Sequence, residues 1–349
     1  MTATDFFQEA LLTWFDKHGR KNLPWQHPRT PYAVWVSEIM LQQTQVKTVI
    51  PYFLKFMQSF QDVKALAEAS EDEVLAHWSG LGYYRRGRNL RAAAIQIMER
   101  HQGVFPSDFA SLIALPGIGA STANAILSLA FEKPAAILDG NVKRILSRYF
   151  LVAGDSQKKA VENKLMAHAK ACLSQARPTD YSQAIMDLGA LICTPKKPEC
   201  TECPMRNHCL AQQNNAVEAY PEKITRKPKP TRELQFLLIH QNNKLYLEKQ
   251  KLEGIWGGLW SLPTLEMDDC PHDYAKRIKA NVSHKLPHFK HSFTHYHLML
   301  YPMILTADTK KIINSGWHNL EQALALGLPK PIRQIITTFS NMDDVALFS

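Results

Sequence analysis

The sequence predicts a chain of two domains, an all-α domain followed by a smaller α+β domain. Three observations predict this. Apolar residues recur at helical spacing through about the first 212 of 349 residues, a Lys- and Pro-rich stretch interrupts them, and beyond it the pattern changes to that of strands. With 45% hydrophobic residues, a chain of this length can bury separate cores.

In order, "FFQEALLTWFDKH", "AVWVSEIMLQQTQ", "VIPYFLKFMQSF", "DEVLAHWSG", "RRGRNLRAAAIQIMERH", "STANAILSLAF" and "AVENKLMAHAKACL" each place apolar residues on one helical face. Short Gly or Pro segments separate them. Residues 213–232, ending in "ITRKPKPTR", read as an exposed linker. Past it, "ELQFLLIH" and "LYLEK" read as strands around the Asn-rich turn "QNNK", and "YHLMLYPMIL" as a further strand. Helical segments near 319–325 and 331–340 close the chain. No internal repeat or low-complexity tract appears.

The formal charge is +9, and the first 210 residues hold 24 basic against 19 acidic side chains. Such an excess suits a polyanionic partner, although a merely basic soluble protein has the same balance. The N-terminal "MTATDFFQEALLTW" has acids inside its apolar stretch and no basic leader, so no signal peptide is expected. No apolar run approaches the roughly 20 residues that span a bilayer, so no membrane partner is expected. The cytoplasm follows as the expected compartment, and there six cysteines do not make three disulfides.

Four of them have another use. "CTPKKPECTECPMRNHC" arrays Cys193, Cys200, Cys203 and Cys209 as C-x6-C-x2-C-x5-C, a thiolate set for tetrahedral zinc or an iron–sulfur cluster. The unequal spacing leans toward a cluster without deciding the matter. His208 could replace a cysteine, but the adjacent Cys209 completes a four-thiolate set. Cys172 and Cys270 have no partner nearby in sequence.

In "LPGIGASTA", Gly117 and Gly119 lead into a helix, and such a turn presents backbone N–H groups to a phosphate. A plain interhelical turn has the same sequence. "ILDGNVKR" sets Asp139 before another helix, a position that suits an N-cap as well as a catalytic acid. Glu38 has Val34, Trp35 and Leu41 at i−4, i−3 and i+3, so its carboxyl lies on an apolar face where ionisation is disfavoured. That environment fits a proton donor or a buried, hydrogen-bonded glutamate.

With "LPWQ" (23–26), "SEIMLQQTQV" (37–46), "GLGYYRR" (80–86), "MDLGA" (186–190) and the four cysteines, these motifs resemble the MutY-type adenine DNA glycosylases of the endonuclease III, or helix-hairpin-helix, superfamily. The resemblance runs over essentially the whole chain. It implies a helix-hairpin-helix glycosylase domain over 1–212, with a six-helix barrel lobe at about 31–135. A second lobe, from the N-terminal helix and about 136–212, would hold a 4Fe-4S cluster, and DNA would lie across the cleft between the lobes. The implied partner is double-stranded DNA carrying A:8-oxoguanine or A:G mispairs, met by a monomer in the bacterial cytosol and nucleoid.

By the same resemblance, lyase members carry a lysine where this chain has Ser121, so the chain resembles the monofunctional, hydrolytic branch. Lys143, near Asp139 in sequence, leaves open a weak trapping of aldehydes. Glu38 is then the acid that protonates the leaving adenine, and Asp139 the charge that stabilises or bonds the cationic sugar. Asn141 matches a residue that hydrogen-bonds in this site. Gln42 and Tyr83 would fill the duplex around the flipped adenine, beside the DNA-binding Gly117, Gly119 and Ser121. Without the resemblance, Tyr83 and Tyr84 read as core aromatics.

Residues 233–349 resemble the α+β MutT-like (Nudix-like) domain of that family, through "GIWGGLWSLP" (254–263) and "HSFTHYHL" (291–298). No Arg-Glu-x2-Glu-Glu occurs, so Nudix hydrolysis is not expected. Phe293, Thr294 and His295 fall on the loop that implies 8-oxoguanine recognition, with threonine where serine is usual. His284, His288, His291, His295 and His297 read as surface and strand residues or, alternatively, a zinc site. Two other functions compete: a bifunctional glycosylase and lyase, which the serine at 121 opposes, and a non-catalytic iron–sulfur DNA-binding protein, which the presence of Glu38 and Asp139 opposes.

Overall fold

The computed structural model describes residues 2–222, 228–307 and 316–346, so residues 223–227 of the expected linker and 308–315 of the last domain lie outside the described residues. Helices come first: α1 (Ala3–His18), α2 (Pro31–Leu41), α3 (Val46–Ser59), α4 (Val63–Glu68), α5 (Glu71–Trp78), α6 (Arg85–His101), α7 (Phe109–Ile113) and α8 (Ala120–Phe131). They continue with α9 (Gly140–Tyr149), α10 (Lys159–Cys172), α11 (Pro178–Leu191) and α12 (Leu210–Gln213).

Local chemistry sets several of these ends. Thr2 and Asp5 form a capping box at the start of α1, which stops at Gly19, and Ser70 with Glu73 does the same for α5. Helix α2 ends at Leu41 because Gln43 takes a left-handed backbone, φ 59°. Gln42 is therefore its C-cap, where the sequence placed it on the helix face of Glu38.

By its contacts the chain forms two compact units. The first takes Met1–Glu68 and Ala92–Arg226, and the second takes Ala69–Arg91 and Lys227–Ser349. In the first unit one core gathers Phe7, Leu11 and Trp14 of α1 with Val142, Leu146, Leu165, Ala184 and Leu188 of α9 to α11. The cysteines 193, 203 and 209 pack against that core.

The later part of the second unit comprises β1 (Thr231–Gln241), β2 (Lys244–Tyr246), β3 (Glu248–Lys249), β4 (Trp260–Ser261), β5 (Thr264–Leu265) and α13 (Pro271–Arg277). It goes on with β6 (Ala280–Lys285), β7 (Phe289–Ser292), β8 (His297–Ala307), β9 (Trp317–Asn319), α14 (Leu320–Ala325) and α15 (Lys330–Ala346). The main sheet runs β6-β8-β1-β2-β9, with β5 on β1 and β7 on β8. Strands β1 and β8 are parallel from Thr231↔His297 to His240↔Thr306, and both are rich in buried apolar residues, as a central parallel pair requires. The "LYLEK" run divides at Leu247 into β2 and β3, which belong to separate sheets.

Leu75 of α5 is fully buried in the same cluster as Phe236, Trp256, Leu298 and Ile332. Ser79 donates to the Leu328 carbonyl at 2.8 Å, and Tyr84 Oη donates to the same oxygen at 3.3 Å. The "GLGYYRR" stretch thus packs with residues far along the chain.

Candidate active site and iron–sulfur loop

One carboxyl of the helical unit, Asp139, raises another, Glu38. Glu38, in α2, is half-buried beside the buried Val34 and Trp35. Burial first, and the charge of Asp139 second, push its carboxyl up to about 7. Asp139 is the N-cap of α9, and its Oδ1 accepts from the Val142 amide at 2.8 Å. Burial pushes it above the ordinary aspartate value, while the Val142 and Asn141 amides and the Arg144 and Lys143 cations pull it back. Because the charge of Asp139 helps to raise Glu38, Asp139 ionises first. The pair is therefore set up as one carboxylate and one carboxylic acid near neutral pH.

The hairpin before α8 is open where a ligand could approach. Gly117 has φ 80°, a left-handed backbone, and a Cβ built on Gly119, the N-cap of α8, would meet nothing within 4 Å. Leu115 and Ile118 are buried beneath it. Ser121 Oγ accepts from the Leu138 amide at 3.3 Å, which ties the first turn of α8 to the segment carrying Asp139. Gln42 Nε2 donates to Thr122 Oγ1 at 3.3 Å, so the end of α2 also meets this turn. Lys143, which sequence alone left available, lies 2.8 Å from Glu162 in an ion pair that Lys159 shares.

Helix α9 joins this site to the cysteine loop. Arg144 Nη2 donates to Asn141 Oδ1 at 2.9 Å and to the Gly189 carbonyl at 2.7 Å, while its Nε donates to the Cys193 carbonyl at 2.7 Å. Arg148 Nη1 lies 3.3 Å from Cys193 Sγ. Cys200, Cys203 and Cys209 all have thiols raised first by burial and then by one another and Cys193. Four thiolates so placed need a cationic centre between them, and among the described residues no three His, Cys, Asp or Glu side chains are grouped closely enough for a single ion. The donor set fits a multi-iron cluster held by Cys193, Cys200, Cys203 and Cys209. When bound, its iron would neutralise the four thiolates and fix the loop on α9.

Sequence reading missed Arg144 and Gly189, since both act through tertiary contact. A Cβ on Gly189 would sit 2.6 Å from Asn141 Cβ and 3.3 Å from Ile145 Cδ1. Gly189→Ala is therefore expected to cost about 1–3 kcal/mol as α9 and α11 are forced apart. Gly140→Ala, where a Cβ meets nothing within 4 Å, should change stability by less than about 0.5 kcal/mol. Urea melts of the two variants check this contrast.

In the second unit, β7 and β8 form a hairpin whose tip is Phe293 to Tyr296, closed by the Phe293 amide donating to the Tyr296 carbonyl at 2.9 Å. Phe293 stacks on Tyr296, with ring centroids 4.7 Å apart, and packs near Trp256 and His291. Thr294 and His295 are exposed. Tyr83 is no core aromatic: it is 47% exposed, has φ 51°, and its hydroxyl lies 3.2 Å from that of Thr294. Two other histidines have separate partners, His297 on Ser292 at 2.9 Å and His288 stacked on Tyr301.

Comparison with known proteins agrees with this arrangement. Residues 36–170 match the family of HhH-GPD superfamily base excision DNA repair proteins, 193–209 the iron–sulfur binding domain of endonuclease III, and 235–338 a NUDIX domain. The adenine DNA glycosylase of Buchnera aphidicola subsp. Acyrthosiphon pisum (strain APS) is 39% identical over 344 residues, which cover 95% of this chain and 97% of that protein. That of Rattus norvegicus is 33% identical over 80% of this chain and 64% of its own length. A solved thermostable thymine-DNA glycosylase aligns with 61% of this chain and 97% of its own at 27% identity and TM-score 0.55. An endonuclease III solved with DNA, at 18% identity and TM-score 0.53 over 62% of this chain and 98% of its own, shares the fold. No helix among the described residues is long and apolar enough to cross a membrane. With the carboxyl pair, the open hairpin and the cysteine loop in place, and with identity to curated relatives sustained from end to end, the chain belongs to the adenine DNA glycosylase family of base excision repair.

Proposed function

We propose that this chain removes adenine paired with 8-oxoguanine, or with guanine, from double-stranded DNA and leaves an abasic site without cutting the strand. The observation that carries the reading is the Glu38 and Asp139 pair, one carboxyl held near neutrality and the other ionising first. Glu38 gives its proton to the departing adenine as the C1′–N bond breaks and its electron pair leaves with the base. Asp139 faces the oxocarbenium-like sugar, and water supplies the new oxygen at C1′. Asn141, oriented by Arg144, completes the site. The exposed Gly117 and Gly119 amides suit a DNA phosphate, and Gln42, at the end of α2, suits the space that the flipped adenine leaves.

Two positions that could hold an amine for strand cleavage are accounted for. Position 121 carries a hydroxyl engaged by Leu138, and the Lys143 ammonium is paired with Glu162. The tip residues Phe293, Thr294 and His295 read the opposing base.

Single-turnover assays on duplexes with adenine opposite 8-oxoguanine or guanine test the reading. Adenine should be released from both, faster opposite 8-oxoguanine, and strands should break only after alkali. Phe293→Ala with His295→Ala should lower the preference about ten- to hundredfold. Strand cleavage as fast as base release, without alkali, would overturn the monofunctional assignment.

A further inference from the structure

We propose that Lys229, at the end of the segment joining the two sequence domains, is a positioning residue for the tip of the β7–β8 hairpin and through it for selection of the opposing base. The inference rests on the reading that Phe293, Thr294 and His295 face that base. The tip is a four-residue loop with a single internal backbone bond, so its shape depends on what holds it from outside.

The final residues of the linker supply that hold. Lys229 Nζ donates to the Phe293 carbonyl at 2.7 Å. Next to it, the Pro230 carbonyl accepts from the His297 amide at 2.8 Å, which extends the β1–β8 ladder by one bond. Two residues on, the Arg232 guanidinium lies 6.0 Å from the centre of the Tyr296 ring, and Tyr296 is the residue on which Phe293 stacks. Both ends of the tip are thus tied to residues 229–232, and the middle residue, Thr294, meets Tyr83. The charged contact is the one that fixes the carbonyl between Phe293 and Thr294, and hence the direction in which the Thr294 hydroxyl points. A basic residue there does more than add to the charge that draws DNA, because it orders a loop. Pro228 and Pro230 flank it and narrow the backbone choices of the segment, so the ammonium starts close to its acceptor.

Lys229→Met keeps the aliphatic stem and removes the donor, while Lys229→Arg keeps a cation. In the full-length protein, Lys229→Met should slow adenine release opposite 8-oxoguanine roughly three- to tenfold and leave release opposite guanine within error, as loss of one exposed charged hydrogen bond predicts. Lys229→Arg should recover most of the loss. Hydrogen–deuterium exchange should also speed up at residues 293–297 in Lys229→Met and nowhere in α2 or α9. Equal slowing on both duplexes would mark a plain phosphate contact and overturn the proposal, as would unchanged exchange at the tip. If exchange rises but neither Lys229→Met nor the double alanine variant of Phe293 and His295 alters the preference, it is the base-reading assignment of the loop that fails.

Discussion

Asp139→Asn is expected to lower single-turnover adenine release on the order of 10²–10³-fold while leaving the fold and DNA affinity close to those of the wild type. The structure makes this substitution more informative than it would be at most sites. Asp139 caps α9, its Oδ1 accepting from the Val142 amide, and in the proposed reaction its charge has a second job, facing the sugar. Asparagine is as good an N-cap as aspartate, so the first job survives and only the negative charge is deleted. Asp139→Ala removes both and should cost about 1 kcal/mol of stability as well. A thermal melt matching wild type, together with a collapsed rate for the asparagine variant, separates chemistry from capping. A rate within a few-fold of wild type would return Asp139 to the role of a helix cap alone.

Glu38→Gln should lose on the order of 10²–10⁴-fold in rate, because the amide has no proton to give to the departing base. Its effect on stability should have the opposite sign. The Glu38 carboxyl moves from 4.5 to about 7 on folding, so the fold favours its neutral form. Below pH 4.5 Glu38 is neutral in both folded and unfolded chains. As the pH rises toward about 7 the unfolded chain ionises freely and the folded one does not, and stability falls. Above that value the fold carries a desolvated carboxylate, at a cost of at most ~3 kcal/mol. Glu38→Gln should therefore raise the melting temperature at pH 8 and change it little at pH 5. Wild-type activity should decline as pH rises through about 7, and also at low pH where Asp139 takes up a proton. A melting temperature that Glu38→Gln leaves unchanged at pH 8 would show that the carboxyl is better solvated than its surroundings suggest.

Much of the helical part was legible because its signals are local. Helical spacing placed α2 and α8, the "LDGN" sequence suited a cap at Asp139 before a further helix, and the i−4, i−3 and i+3 neighbours of Glu38 announced its raised carboxyl. What was not legible lives in contacts between distant residues or in backbone angles that side-chain pattern does not encode. A left-handed Gln43 ends α2 one residue before Gln42, although "MLQQTQV" shows no breaker. Tyr83 is exposed and has a positive φ, in a stretch whose aromatics read as core. Gly189 lies in "MDLGA", and nothing in that local pattern shows that it packs against Asn141, 48 residues earlier. The cysteine spacing named its ligands, yet only the contacts of Arg144 and Arg148 show which helix the loop rests on.

The two-part make-up of the second unit bears on how the chain is made. Ala69–Arg91 leaves the ribosome early, but the groups that cover it come last: Ser79 bonds the carbonyl of Leu328, 249 residues later, and Leu75 packs in the cluster that holds Ile332 and Ile336. At about 5–20 residues per second, roughly 10–50 s of synthesis separate the two instalments. During that interval Leu75, Ser79 and Tyr84 lack the partners that Leu328, Ile332 and Ile336 later supply. Late closure over such a sequence separation is slow for the same reason that non-local sheets fold slowly. A message cut short, or a stalled ribosome, would thus release a chain whose Leu75 and Tyr84 lack the residues that cover them, a natural target for chaperones and proteases.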